Sequence, residues 1–576
     1  MKTSRKSFPW RQGCQKNRRR DHLVSYWAPG RAAKCPVETK LTIKRWNPSQ
    51  TYTKQEEFLV GRLRRTRKLF AFLREHRHEL FDEAMQVDLE SMYRDGCGGK
   101  EPVCPAMMAM AALLQGYLGV SDAEAVELTV VDLRWQMVLG CLGSTEPAFS
   151  QGAFQAFRQR MIAHDMDRRL LERAVVFARS STGFDYKKLP KTLRVGMDSS
   201  PLEGAGRVED TVNLLAHAGR KIVDCVAALL EWKSERVCRE AGIPLLAESS
   251  VKKALDYTWS DPADKAEAVS LLIKQLTSLE SWIQKKMPED LTGPPLKEHV
   301  ETLHQIMGQD LEPDPQGGGV RVKDGVAPDR RVSIEDKEMR HGRKSKSKRF
   351  NGYKRHIALD LDTGLIVACA ITLANRPEQD AASELEKDLA YLETPIGKLY
   401  IDRGYINAPA VDKVIDGGGE IICRPWRGRN GKLFPKSRFD INVRDKLITC
   451  PAGKTEQIQF GTTVEFEPDV CDPCPQRKQC TGASRGHGRT VAIAENEALQ
   501  KRLRKLQDTP RGRARLRERV PVEHSLAHAG SRQGRRARYI GARKNLHDWR
   551  RAATITDLEV MQRNYAIREE ELARAA

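Results

Sequence analysis

From Thr53 to about residue 185, apolar residues recur at helical intervals, and only after Pro190 does the pattern change to short continuous apolar runs. Thr53 and Glu56 have the spacing of a capping box, as do Ser121 and Glu124, each ahead of an apolar-periodic segment. The spacing predicts helices over residues 51–185. The longest uncharged stretch, Pro102 to Ser121, approaches the roughly 20 residues that span a bilayer, but Pro105, Gln115, Gly116 and Gly119 interrupt it, which predicts a buried helix. Pro147 to His164 sets Phe154, Phe157 and Met161 on one helical face and turns Arg158 and Arg160 away from it. That arrangement suits the recognition helix of a helix-turn-helix, with Arg158 on DNA, and equally an ordinary surface helix with an apolar stripe.

The extended segments come next. TLRVGMD is a short strand ending in a carboxylate, and KRHIALDLDTGLIVACAITL is two apolar runs around an Asp-Thr-Gly turn, a predicted hairpin. GKLYIDRGY and GEIICRPW are two further strands, with a helix predicted over Ala408 to Ile415 between them. Between the first strand and the hairpin lies a mostly helical segment that ends in PDPQGGGV, read as an insertion with a flexible linker. The fold class is therefore α/β, a helical N-terminal region followed by a mixed sheet. The order of elements predicts a basic arm over 1–50, a helical domain over 51–185, DNA-binding if the Arg158 helix is a recognition helix, and a sheet-bearing domain over 190–570 interrupted at about 210–340 and 424–500.

Charge sharpens this picture. The 576 residues carry a formal charge of +21. Residues 1–50 hold 13 basic and 2 acidic side chains and residues 501–550 hold 16 and 4, which leaves the rest of the chain near neutral. Two basic end segments suit a polyanion, because clustered Lys and Arg gain free energy by displacing condensed counterions; a solvated tail is the alternative for the first segment. No apolar run follows the basic N-terminus, so a secretory signal is not expected and the protein is placed in the cytoplasm, without a membrane partner. In a reducing compartment the clustered members of the thirteen cysteines become metal candidates.

Asp198 and Asp402 each follow an apolar strand and are read as lying at strand ends. Carboxylates delivered from adjacent strand ends can share hard divalent cations that leave coordination positions for phosphate and water. Glu523, in RERVPVEHSL, is the candidate third acid; Asp360 and Asp362 belong to the hairpin turn instead. A second constellation is Cys450, Cys471, Cys474 and Cys480, whose Cys-x2-Cys pair and Pro/Gly context suit either tetrahedral structural zinc or a loop of reduced thiols. The run Arg340 to Arg355 holds eight basic and no acidic residues, and Arg343, Lys344, Lys346, Lys348, Arg349, Tyr353 and Lys354 are candidate DNA contacts beside the strands. Arg535, Arg536, Arg538, Arg543 and Lys544, around Tyr539, are read as phosphate contacts rather than base readers.

The succession FSQGAFQAFRQRM, VGMDSSPLEG, NGYKRHIALDLDTGLIVACAITLAN, LYIDRGY, the cysteine-rich stretch and RVPVEHSLAHAG with RRARYIGARKN resembles the DDE-class insertion-sequence transposases, and among them the bacterial group numbered 1182, over about residues 55–560. The resemblance implies a ribonuclease-H-like catalytic core with a helical and a cysteine-rich insertion, and makes Asp198, Asp402 and Glu523 its catalytic, metal-binding acids. It implies two Mg2+ (or Mn2+) ions about 4 Å apart that stabilise the attacking and leaving oxygens of a phosphodiester. The expected function is binding of the element's terminal inverted repeats, metal-dependent DNA cleavage and strand transfer, by a homodimer on double-stranded DNA at the bacterial nucleoid. The alternatives are a nuclease of the same fold, or a transposase-derived DNA-binding protein without catalysis. Related enzymes often place Tyr, Arg and Lys around the last acid. Arg519 stands at the Arg position, whereas Leu516 and Gly530 stand where Tyr and Lys would, and Arg532 is the nearest substitute for a phosphate contact. Pro521 fits a helix there only if the helix begins at about that residue.

Overall fold

The periodicity between residues 51 and 185 is realised as helices Lys54–Arg62, Lys68–Leu80, Glu83–Glu90, Pro105–Leu118, Asp122–Val131, Leu133–Leu139, Gln151–Ala163 and Met166–Ser180. A computed structural model describes residues 43–63, 68–93, 101–181, 184, 190–315, 319–345, 347–428 and 430–575. Ile43–Tyr93 and Pro102–Ala576 form one compact unit. Most of the basic arm read over 1–50, and Lys346, lie outside the described residues.

Local chemistry accounts for the helix starts. The Thr53 side chain accepts from the Glu56 amide while the Glu56 carboxylate accepts from the Thr53 amide, so two orphan donors are satisfied reciprocally. Ser121 accepts from the Glu124 amide, the one-sided form of the same cap. Pro105–Leu118 is buried along most of its length, and Phe154, Phe157 and Met161 form the inward face of Gln151–Ala163. No described helix is long and apolar enough to cross a membrane.

Six strands build the principal sheet: β1 (Leu193–Glu203), β2 (Arg340–Arg343), β3 (Arg349–Asp360), β4 (Ile366–Leu373), β5 (Ile396–Tyr400) and β6 (Glu420–Ile422). β3 pairs antiparallel with β1 on one side, and with β2 and β4 successively on the other. Beyond β1 the sheet continues parallel, through β5 to β6. The hairpin read around Asp-Thr-Gly is thus β3–β4. β1 corrects the sequence reading: the strand runs on to Glu203, so Asp198 lies within it, opposite Ile357, and no turn follows. The long antiparallel pairing with β3 carries the strand through Ser199, Ser200 and Pro201, where the apolar run that marked it in the sequence has ended.

Between β1 and β2 lie Thr211–Leu229, Pro262–Lys286, Leu296–Asp310 and shorter helices, packed on a core of their own around Leu215, Val226, Leu272, Leu276 and Leu303. At the two ends of PDPQGGGV, Leu311–Pro313 pairs with Val320–Val322 as a two-stranded ribbon, and residues 316–318 between them lie outside the described residues. The segment after β6 has another small core, around Phe439, Ile448 and Phe466.

The long helix Ala542–Ala575 joins the N-terminal helices to the sheet. Trp549 is fully buried and donates its indole N–H to the His356 carbonyl on β3 at 2.9 Å. Arg550 bridges two buried acids, Asp167 (3.1 Å) on Met166–Ser180 and Asp388 (2.8 Å) on the helix behind β4. Burial opposes the Asp167 charge, but the neighbouring His547, the Arg543 hydrogen bond and Arg550 hold its carboxyl well below the usual range. Removing one partner of such a cluster leaves an uncompensated buried charge, at a cost of about 3–5 kcal/mol. Arg550→Ala is therefore expected to lose about that much stability in urea unfolding at pH 7. Because the Asp167 carboxyl sits below its unfolded value, the contribution is full above the ordinary carboxylate range and fades in acid, where the gap to wild type narrows.

Candidate active site

The parallel pairing of β1 with β5 ends at Gly196 opposite Tyr400. Two residues further along each chain come Asp198, still held on β1 by β3, and Asp402, just past the end of β5, so the register carries the two carboxylates to the same edge. Asp402 caps the short turn Arg403–Tyr405 by accepting from the Arg403 amide at 2.8 Å. Glu523 arrives from helix Val520–Gln533, in its first turn. Pro521 sits at the start of that helix, where its missing N–H has no intrahelical acceptor to lose. The helix comes so close to β1 that a Cβ on Gly196 would collide with the Val522 side chain. The absent side chain at Gly196 is what lets Glu523 reach Asp198.

The three acids line one cavity of about 390 Å³, together with Glu378, Lys354, Arg355, Arg343 and Lys344. Arg519, at the N-terminus of the Glu523 helix, pairs with Asp198 at 3.0 Å and with Glu523 at 2.7 Å. Burial raises the Asp198 carboxyl above its ordinary value and the charges of Asp402 and Glu523 add to the rise, against Arg519 and the Ser199 amide. Glu518, four residues before Val522, serves another purpose. It accepts from Arg194 on β1 (2.8 Å) and from the Tyr400 hydroxyl (2.5 Å), pinning the approach to the helix.

Glu378 was not legible as a site residue in the sequence. It follows β4 in NRPEQD and accepts from the Ser199 hydroxyl at 2.5 Å, directly beside Asp198. The proximity depends on the β1–β3–β4 register, and the only local signal is the acidic pair after a strand. Beneath it, the buried His356 ring joins the Tyr405 hydroxyl (2.6 Å) to Thr372 (2.9 Å); burial pushes its pKa down to about 3, so the ring is neutral. Arg355 was missed as well. Its guanidinium occupies the space a side chain at Gly530 would take, donating to the Gly534 carbonyl at 2.9 Å and to the Ser200 hydroxyl at 2.8 Å. The position where a Lys was expected is thus filled by an arginine from β3, and burial pulls its pKa down to about 10.

Several basic candidates are committed elsewhere. Arg158 pairs with Asp122 and packs over Phe154 and Tyr539. Arg532 turns away from the cavity to Glu559 and the Tyr117 ring, so it does not stand in for the missing Lys. Arg543 is held by Asp165 and Asp167. Tyr353 corrects the sequence reading outright: it is fully buried, with its hydroxyl donating to Asp336 at 2.7 Å, and offers DNA no surface. Arg343, Lys344, Lys348 and Arg349 are exposed on the β2–β3 hairpin, as are Arg535, Arg536, Arg538 and Lys544 after the Glu523 helix. Arg535 pairs with Glu203, and Arg536 donates to the Gly204 and Ala205 carbonyls. Lys354 reaches the Arg376 carbonyl at 2.7 Å from the cavity wall.

Cys450, Cys471, Cys474 and Cys480 are brought to the walls of a second cavity, of about 410 Å³, with Arg477 and Arg489. Burial pushes the Cys480 thiol up, and the other three cysteines add to the rise against Arg489. Among the described residues, no three His, Cys, Asp or Glu side chains close to a metal-coordinating arrangement. As donor sets, the carboxylates suit a hard divalent cation and the four thiols suit zinc.

Residues 321–558 match the model of the transposase DDE domain, a segment that holds Glu378, Asp402, the four cysteines and Glu523, with Asp198 ahead of it. Residues 64–160, within the N-terminal helices, match a second model, a transposase domain (DUF772). No curated protein and no solved structure matches the chain. Both matched segments are transposase domains, and together they indicate a transposase, an enzyme acting on DNA.

Proposed function

We propose that the protein binds the terminal inverted repeats of an insertion sequence of the group numbered 1182 and cuts and rejoins DNA at the Asp198–Asp402–Glu523 cavity. The observation that carries this reading is the convergence of three acids from β1, the end of β5 and the first turn of one helix on a single cavity rimmed by cations. The strand order, β4, β3 and β1 antiparallel and then β5 and β6 parallel to β1, with β2 added at the outer edge beside β3, supports a ribonuclease-H-like core. The separate apolar cores after β1 and after β6 support reading those segments as insertions. The N-terminal helices would supply binding to the repeats, and the double-stranded ends would be engaged by a homodimer in the bacterial cytoplasm.

Asp198, Asp402 and Glu523 would hold two divalent cations, Mg2+ or Mn2+, whose Lewis acidity supplies charge neutralisation at the phosphate. The chain's own side chains do the rest. Arg519 relieves the repulsion between Asp198 and Glu523, and would be released toward a phosphate oxygen once cations neutralise those acids. Glu378 positions Ser199, and through it the backbone that carries Asp198. Lys354, Arg343 and Lys344 line the entrance with positive charge that attracts and orients the DNA backbone.

Asp198→Asn, Asp402→Asn and Glu523→Gln are each expected to abolish Mg2+-dependent cleavage of terminal-repeat DNA while binding stays within a few fold. Glu518→Gln, which keeps an acceptor oxygen for Arg194 or Tyr400 and bears on no cation, should retain cleavage that these three lose. Cleavage retained by any of the first three would remove that acid from the site.

Gly196→Ala tests how the third acid is placed. The added methyl meets Val522, and overpacking of this kind costs about 1–3 kcal/mol. Cleavage should fall at least tenfold with DNA affinity unchanged, and unaltered turnover would show that the helix need not sit so close.

The four-thiol cavity is proposed as a structural zinc site, since four protein ligands leave no open position for catalysis. Protein purified without chelator should contain about one zinc per chain, and Cys471→Ser or Cys474→Ser should lose it together with stability of that segment. Metal analysis finding no zinc decides for reduced thiols.

A further inference from the structure

β2 and β3 form the outer corner of the sheet, and their register sets Arg343 directly opposite Arg349, with His341 opposite Asn351 one step along on the same face. Like charges facing each other across an antiparallel pair destabilise it. Both arginines are exposed, and neither forms an ion pair among the described residues. By contrast, nearby Arg330 is neutralised by Asp310 at 2.7 Å and Arg340 by Asp329 at 2.9 Å. All four arginines, with His341 and Asn351, line a cavity of about 370 Å³ closed on the far side by the loop Val326–Pro328. The polar floor is fixed: His341 Nδ1 meets the Asn351 side-chain oxygen at 2.5 Å, and Nε2 faces Arg330 at 3.3 Å. Arg343 lines this cavity and the carboxylate cavity as well.

We propose that this pocket is a second DNA-phosphate site, which takes a backbone phosphate of the strand that leads out of the carboxylate cavity. The inference rests on the transposase reading above and adds to it a defined anchor beside the cleaved bond. A phosphodiester bridging Arg343 and Arg349 supplies the anion that the facing pair lacks, and Arg343 ties its position to the site of cleavage. Arg330 and Arg340 shape the wall without spending their charge, since each already has a carboxylate.

The test is fluorescence anisotropy of the full chain on a duplex bearing the terminal repeat, across a salt series, for wild type, R343Q/R349Q and a control, K274Q/K285Q, that removes two exposed lysines from Pro262–Lys286. Each phosphate contact contributes about 0.9 to the slope of log affinity against log salt, so losing the one phosphate that the arginine pair shares should lower the slope by about 0.9 and weaken binding at least tenfold, while the control leaves both near wild type. Thermal stability separates contact from folding. Loss of the facing charges should leave the melting temperature of R343Q/R349Q unchanged or raised. An unchanged slope in R343Q/R349Q, beside a wild type that binds, overturns the pocket alone, and so does an equal fall in the lysine control. Absence of any duplex binding by wild type overturns the transposase reading and the pocket with it.

Discussion

Four carboxylates facing one cavity repel one another, and the rest of the molecule can be understood as the means of holding them there. Asp198 is fixed on β1 by its pairing with β3, Asp402 by its own turn, Glu378 by the Ser199 hydroxyl and Glu523 by a helix seated against Gly196. Arg519 contributes the compensating charge from within the same helix entry. Like charges so arranged lower stability in water and gain it back when a cation or a cation-bound phosphate is shared among them. Such an arrangement is expected of a site selected for ligand binding rather than for stability.

Holding the acids depends in turn on the docking of Ala542–Ala575. Its Trp549 reaches the carbonyl of His356, and that residue's ring supports Tyr405 beneath the Asp402 turn. Its Arg550 links Asp167 of the N-terminal helices to Asp388 behind the sheet. The C-terminal helix, the sheet and the N-terminal helices therefore stand or fall together, although the two matched transposase segments are far apart in the chain.

Much of this was legible in the sequence because the relevant physics is local. Thr53 with Glu56 announces a helix start, and Phe154, Phe157 and Met161 announce its buried face. The Asp-Thr-Gly turn announces β3–β4. What escaped depends on pairing at long range. β1 extends past Asp198 because β3 runs alongside it, which no local propensity around Ser199–Pro201 reveals. Glu378 and Arg355 join the cavity only through the register of three strands, and Tyr353 is interleaved with basic residues in the chain yet faces Asp336 in the interior. The role of Gly196 required knowing that Val522 lies above it.

Net charge over a window of sequence does not say which of its cations are free to meet a polyanion. The segment 501–550 is strongly basic, yet Arg504 is paired with Glu497, Arg515 with Glu420, Arg532 with Glu559, and Arg543 and Arg550 with Asp167. Those acids come from elsewhere in the chain, so a count over a window registers the cations without their partners. An arginine already satisfied by a buried carboxylate has little left to give a phosphate, because leaving its partner would expose an unpaired buried charge. The hairpin run from Arg340 presents the opposite case. Its tip and its facing pair lie at the outer corner of the sheet, beyond the acids that neutralise Arg330 and Arg340, and close enough to the carboxylate cavity for one arginine to line both. Where cations remain without partners, their mutual repulsion is the force that a polyanion placed there would relieve, whereas a count of charges along the chain carries no such information.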